Sequence, residues 1–284
     1  MKKKVLVAFA LAASFASGTV LAQTTDFTNT NKNDRKGELY FSWGYNAEWY
    51  TLSNIFINQP SLGNNFKMKN VVGHDNPGWT NDFFHKDLTI PQYNYRIGYI
   101  FDKKNGWGVE INFDHTKYII ADRQYVHIIG TMNGKPYDGY VQFNQLDKNL
   151  PPDSSSFWYL NNGANFLLFN IVKRCHILET KDKKVKLDFL GKAGIGPLIP
   201  HVEDKLFDQP KNDPHFQLGG WNFGFEGAVR ATFFKYVYLE YTNKLDYARY
   251  SGLRIYQGTA RQAFGTYEMI LNLGVTFPVG KREE

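Results

Sequence analysis

Across 284 residues there is a single cysteine, Cys175, so no disulfide can form within the chain and the fold must stand without one. Long hydrophobic runs are equally scarce. Beyond the amino terminus no stretch approaches the roughly 20 consecutive apolar residues of a membrane-spanning helix, which leaves β-structure as the only route into a bilayer. An excess of one charge is missing too. The 33 Lys and Arg against 27 Asp and Glu give +6, which becomes +3 if Lys2, Lys3 and Lys4 are removed with a leader. A balance that mild does not imply nucleic acid as a partner. No internal repeat or low-complexity tract divides the chain, and one folded domain is expected.

Aromatic side chains are abundant instead, at 17% of the chain with 18 Tyr and 23 Phe, and they fall in alternation. The clearest case is residues 267–277. Tyr267, Met269, Leu271, Leu273, Val275 and Phe277 share one face, against Glu268, Ile270, Asn272, Gly274 and Thr276 on the other. Side chains alternate sides along a strand, so this segment calls for an apolar surround on one side and a polar, small-residue surround on the other. A strand of an outer-membrane barrel has both.

The amino terminus agrees with export: Lys2 to Lys4, an apolar run from Val5, then Val20-Leu21-Ala22 as a small-residue cleavage site. No cysteine follows that site, which argues against a lipid-anchored lipoprotein. The expected organisation is a signal peptide at 1–22, a short periplasmic segment at 23–36, a barrel at 37–277 and a periplasmic tail at 278–284, with both termini periplasmic.

Alternation marks eight strands, at 39–49, 92–101, 107–114, within 160–173, 185–195, 221–231, 237–244 and 267–277. In the fourth, Phe166, Leu167, Leu168 and Phe169 are all apolar, so its faces stay unassigned. Short connections at 102–106, 174–184 and 233–235 alternate with long ones at 51–91, 118–159, 196–216 and 248–262. In outer-membrane barrels the short turns face the periplasm and the long loops face outward. The expected fold is therefore all-β, an antiparallel up-and-down transmembrane barrel of eight strands with long extracellular loops. A soluble secreted barrel or sandwich would share the alternation; the loop asymmetry and aromatic content favour the membrane. Within the second long loop, residues 125–129 and 140–143 flank Asn133-Gly134, a hairpin signal. A ribbon over 125–143 is expected, either as an extension of the third and fourth strands that shields the lumen or as a projection offering a surface to an extracellular partner, and residues 66–72 alternate as a further ladder.

Taken together, the leader, the eight alternating segments and the short and long connections resemble the small eight-stranded outer-membrane barrels, the class that includes the OmpA membrane domain. The phrases Thr89-Ile90-Pro91-Gln92-Tyr93-Asn94-Tyr95-Arg96-Ile97-Gly98-Tyr99 and Asp114-His115-Thr116-Lys117-Tyr118 resemble outer-membrane proteins known only as barrels. Residues 267–277 also resemble the aromatic-ended terminal strand by which the barrel-assembly machinery recognises such chains, although seven residues follow Phe277 here. The resemblance implies the outer membrane and lipopolysaccharide as surroundings and brings no catalytic residue.

If the polar faces point inward, the lumen collects Glu48, Glu110, Asp114, Asp188, Glu226, Glu240 and Glu268 with Arg96, Lys186, Lys192, Arg230 and Lys244. Eight strands enclose only enough room for side chains, so an internally paired network is expected, with a proton path or narrow channel as the alternative. His115 and Lys117, at the outer end of the third strand on its apolar face, are candidates for contact with lipopolysaccharide phosphate, since lysine binds phosphate as a point charge. An ordinary boundary position is the competing reading. No catalytic residue, cofactor or metal is assigned. The His-x-Ser pattern of outer-membrane lipid A deacylases is absent, because Lys117 stands two positions after His115. His74-Asp75 and His201-x-Glu203-Asp204 are too sparse for a metal. Cys175, beside His176, is expected in a periplasmic turn as a free thiol partly buried at the barrel base, with a redox-active or intermolecularly bridging thiol as the alternative. The expected function is non-enzymatic, through extracellular loops and lipopolysaccharide contacts, in envelope integrity, adhesion or partner binding. A lipid A acyl hydrolase or acyltransferase is the alternative from another class.

Overall fold

The computed structural model describes residues 35–76, 92–143, 156–212 and 215–282; the leader at 1–22 lies outside them. In chain order, β1 (Arg35–Tyr50), β2 (Ser53–Gln59), β3 (Asn64–Val71) and β4 (Gly73–His74) precede β5 (Tyr93–Asp102) and β6 (Trp107–Asp114). Then come β7 (Tyr118–Ile120), β8 (Gln124–Met132), β9 (Lys135–Phe143), β10 (Phe157–Leu160) and β11 (Phe166–Glu179). The chain ends with β12 (Val185–Pro197), β13 (Glu203–Lys205), β14 (Gly220–Phe233), β15 (Val237–Ile255) and β16 (Gly258–Arg282).

Eight of these strands form a ring in the order β1-β5-β6-β11-β12-β14-β15-β16, with consecutive neighbours antiparallel, and β1 also pairs with β16 to close it. Alternation then fixes an inside and an outside. Phe41, Ile97, Ile111, Ile171, Phe225 and Leu273 are exposed on the outer wall, whereas Ser42, Arg96, Asn112, Asn170, Glu226 and Asn272 are buried within. A water-soluble barrel would have the reverse arrangement. The outer wall is a lipid-facing band, and a charge placed on it should be costly. Leu271→Arg is expected to destabilise the barrel by about 2–4 kcal/mol near mid-membrane, measured by denaturant unfolding in lipid vesicles against Leu271→Ala.

The fourth ring strand, left without faces by its sequence, turns Phe166, Leu168, Asn170 and Val172 inward and Phe169 and Ile171 outward. It also runs further than 173, so the expected turn at 174–184 shrinks to residues 180–184. The expected long loop at 248–262 is not a loop. There β15 and β16 stay paired up to a tight turn at Tyr256 and Gln257. Alternation breaks at Ser251-Gly252 because of a register shift between Tyr250 and Leu253, with Gly252 at φ 64°, and such a bulge changes phase without ending the pairing. At the other end β16 continues past Phe277 to Arg282, through part of the expected tail.

The remaining long connections fold as well. β2, β3, β8 and β9 extend the barrel sheet beyond β16 in that order, while β13, β10, β7 and β4 make a second sheet. The Asn133-Gly134 turn closes β8 on β9 with both residues in the left-handed region, φ 51° and 73°, as a two-residue hairpin requires. The ribbon joins the barrel through β3 and β2, and not as an extension of the third and fourth ring strands. A core including Ile57, Met68, Ile128, Trp158, Leu206 and Phe264 fills this cap.

Candidate functional site

The lumen has three levels. At the short-turn end, Tyr40, Ile100, Val172, Leu190, Ala228 and Tyr238 make an apolar floor. At the long-loop end lies the cap core, into which Phe166, Ala248 and Tyr250 project from the ring strands. Between them the charges meet.

Arg96 on β5 is the hub. Its Nη1 lies 3.0 Å from Glu110 Oε1 and 2.7 Å from Glu226 Oε2, and its Nη2 lies 3.5 Å from Asp114 Oδ1. Lys192 Nζ reaches Glu110 and Glu240, each at 2.9 Å, and Arg230 Nε closes on the other Glu240 oxygen at 2.6 Å. Lys244 Nζ bridges Asp114 at 2.6 Å and Glu268 at 3.1 Å. One continuous chain of opposite charges thus ties β5, β6, β12, β14, β15 and β16 together. The Arg230 guanidinium also sits between two floor rings, 4.3 Å from Tyr40 and 4.0 Å from Tyr238, joining the ionic level to the apolar one.

Not every sequence-picked charge joins this chain. Asp188 lies nearer the short turns, paired with Lys186 at 2.9 Å and His176 at 3.0 Å. Glu48 lies near the cap and is held by amides, with Asn46 Nδ2 and Gln92 Nε2 each donating at 2.5 Å. Two further residues belong to the lumen system. Asp246, 3.7 Å from Lys244, lies beyond the strand expected at 237–244 and continues its inward parity. Arg174, placed in a turn by its sequence, lies on β11 and meets Glu38 at 2.6 Å. Cys175 is in the same strand opposite Phe189 and exposed, not buried at the base, because β11 runs on past it.

His115 and Lys117 are not boundary residues open to solvent: each is more than nine-tenths buried. They carry the outward parity of β6 beyond its end, where Asn161, Asn162, Ile199 and Phe216 roof them over and leave a cavity of roughly 570 Å³. His115 stacks on Tyr93 at 4.7 Å between ring centroids. Its Nδ1 lies 2.8 Å from Asn165 Oδ1, and the Asn165 amide donates to the Ile199 carbonyl at 3.0 Å. With that amide group donating elsewhere, Asn165 offers His115 an acceptor, so Nδ1 carries the hydrogen. Burial pushes the imidazole below its usual range, with the Asn165 hydrogen bond opposing and Lys117 adding to the shift. Among the described residues no group of three or more His, Cys, Asp or Glu is placed to hold a metal.

In the cap, Asp204 is fully buried, and Asn212 Nδ2 donates to its Oδ1 at 2.9 Å. Burial raises its carboxyl to about 7, the Asn212 bond opposing. A folded-state value above the unfolded one, ~3.9, means that the folded cap holds a proton that the unfolded chain has released. Its stabilising contribution is therefore complete below pH ~4 and lost as pH rises towards 7. Amide exchange over residues 203–212 should accelerate between pH 5 and 8 beyond the intrinsic rate, and Asp204→Asn should remove that excess.

An eight-stranded antiparallel ring with an apolar outside and an ion-paired inside defines a small β-barrel protein of the outer-membrane class. Among solved structures, the chain is similar to Ail, the attachment invasion locus protein of Yersinia pestis, in complex with the heparin analogue sucrose octasulfate, at 13% identity over 85% of this chain and 99% of that one, TM-score 0.31. It is also similar to the outer-membrane protein OprG of Pseudomonas aeruginosa, at 11% identity over 87% and 99%, TM-score 0.36. A third is the amino-terminal β-barrel domain of OprF from Pseudomonas aeruginosa, at 10% identity over 86% and 99%, TM-score 0.32. No protein-family model and no curated protein matches the chain. The barrel is defined here by its own strand pairings and by which side chains face out.

Proposed function

We propose that the protein is a non-enzymatic, non-conducting barrel of the outer membrane, with both termini periplasmic and the cap on the cell surface, where it serves partner binding, adhesion or envelope integrity. The observation that carries this reading is the lumen filled by side chains. Floor, ion-pair chain and cap core follow one another along the barrel axis, which favours a surface to present over a path to conduct along. The preferred surface is the outer face of the β8–β9 ribbon, where Tyr125 and Tyr140 are each about two-thirds exposed and Tyr140 stacks on His127. Exposed tyrosines supply contact area at low entropic cost. Lipopolysaccharide surrounds the barrel wall in this setting, and the barrel-assembly machinery would recognise the strand containing residues 267–277.

The test is fractionation with the outer membrane and heat-modifiable gel mobility, followed by planar-bilayer recording. Purified protein is expected to give no sustained conductance. Stable porin-sized currents, or release into the soluble periplasm, would overturn the reading.

A further inference from the structure

At the short-turn end of the barrel the turns lie side by side. Arg174 N donates to the Gly106 carbonyl at 2.8 Å, which sets the turn at 102–106 against β11, and Phe234 N donates to the Lys184 carbonyl at 2.7 Å, which sets the turn at 180–184 against the one at 233–236. The Tyr236 carbonyl accepts from Thr276 N at 2.8 Å, so the rim continues to β16. Most acids of this rim are used within it. Glu38 meets Arg174 at 2.6 Å, Asp188 meets Lys186 at 2.9 Å, Asp182 meets Lys184 at 3.2 Å, and Asp102 accepts from the Asn105 side chain at 2.8 Å. Lys36, Lys104, Lys181, Lys183 and Lys235 are exposed and, among the described residues, have no carboxylate within ion-pair distance. Glu179, also exposed, is the single rim acid left over among the described residues. The rim therefore carries a positive charge that the fold does not consume, and an anionic surface is its complement.

The aromatic neighbours of these cations select the kind of anionic surface. Lys173, Ile171 and Phe169 on β11 lie opposite Trp107, Val109 and Ile111 on β6, all on the outward face, and Lys173 Nζ sits 4.7 Å over the Trp107 ring. The lipid-facing stripe thus ends in an aromatic with a cation above it. That is the sequence of surroundings a leaflet presents, hydrocarbon first and then phosphate. The next turns repeat the pattern, where Phe234 and Tyr236, 67% and 52% exposed, flank Lys235. Cations that met a polymer beneath the barrel would need no aromatic partners at the edge of its wall. Lysine suits the phosphate of a headgroup, which it meets as a point charge on a flexible stem.

We propose that this rim docks the headgroups of anionic phospholipids, with Lys36, Lys104, Lys181, Lys183 and Lys235 on the phosphates and Trp107, Phe234 and Tyr236 at the boundary with the acyl chains. Assignment to the periplasmic leaflet rests on the orientation proposed above; the preference for anionic headgroups does not.

The experiment is native mass spectrometry of the mature protein in a non-ionic detergent, comparing phosphatidylglycerol with phosphatidylcholine of the same acyl chains. Phosphatidylglycerol is expected to be retained about tenfold more tightly or better, and to be released as ionic strength rises. Lys104→Gln, Lys181→Gln, Lys183→Gln and Lys235→Gln combined should bring the two lipids close to equality. An equal loss of charge on the cap, Lys67→Gln, Lys135→Gln, Arg254→Gln and Arg261→Gln, should leave the preference unchanged. Equal retention of both lipids by the parent, a rim variant that keeps the preference, or a cap variant that loses as much overturns the proposal. If the rim variant does not assemble, the parent's salt dependence decides: a preference that does not fall between about 0.05 and 0.5 M salt overturns it. Peptidoglycan sacculi that displace phosphatidylglycerol from the parent would reassign the rim to an anionic polymer and overturn the lipid occupant. Labelling of intact cells with an impermeant amine reagent reports the orientation separately. Lys181 and Lys183 are expected to stay unmodified there, and their modification would overturn the leaflet assignment while the headgroup preference stands.

Discussion

Arg96→Met should cost about 3–5 kcal/mol of barrel stability, since removing one partner of a buried ion pair leaves the others uncompensated. Here three carboxylates are left at once, Glu110, Asp114 and Glu226, all with fully buried side chains. Methionine restores much of the volume, so the loss reports charge more than cavity. Lys192 and Lys244 still hold Glu110 and Asp114 at 2.9 and 2.6 Å, whereas Glu226 keeps only a longer ion pair to Lys192 at 3.6 Å, which makes it the carboxylate most affected by the change. Adding Glu226→Gln to Arg96→Met is therefore expected to recover part of the loss. The check is the denaturant midpoint in lipid vesicles, followed by heat-modifiable mobility. Single and double variants that unfold together with the parent would show that the ion-pair chain contributes nothing to the fold.

Much of the ring was legible because its two surroundings differ along the middle of the barrel. Where lipid lies outside and charge lies inside, as along β5, β6 and β14, alternate residues differ in kind and the faces are plain. The signal failed where the inside stops being polar. Phe166 points inward into the cap core and Leu168 inward just below it, so both faces of β11 there are apolar and no alternation exists to read. The upper half of β15 is obscured for the same reason, since Tyr250, Leu253 and Ile255 face the cap core and a bulge shifts their phase. His115 and Lys117 had a readable parity but an unreadable environment, because Asn161, Ile199 and Phe216 come from distant segments and nothing local announces the roof. In the sequence the cap reads as separate loops. Its strands are short, and their partners are set by contacts such as Trp158 Nε1 donating to Gln262 Oε1 at 2.9 Å, across more than a hundred residues.

Deleting residues 125–143 and closing the gap with a short Gly-Ser turn tests that last point most sharply. Treated as a projecting ribbon, the segment should be dispensable, because changing a loop's length alters its closure entropy only slowly. The structure reverses the balance for the cap and leaves it unchanged for the ring. Val126, Ile128 and Phe143 are buried in the cap core, and each such side chain is worth about 1.5–3 kcal/mol. Their removal costs on the order of 5 kcal/mol or more, far above any gain in closure entropy. It also uncovers Phe66 and Met68 and leaves β3 without its β8 neighbour. The ring pairings involve neither β8 nor β9, so the deletion variant should still insert and show heat-modifiable mobility. Its cap should instead open to trypsin at Lys67 and Lys69, which the intact protein holds in paired strands. Full resistance at those lysines would mean that the ribbon is the independent projection its sequence suggested. Failure to assemble at all would mean that cap and barrel fold as one cooperative unit.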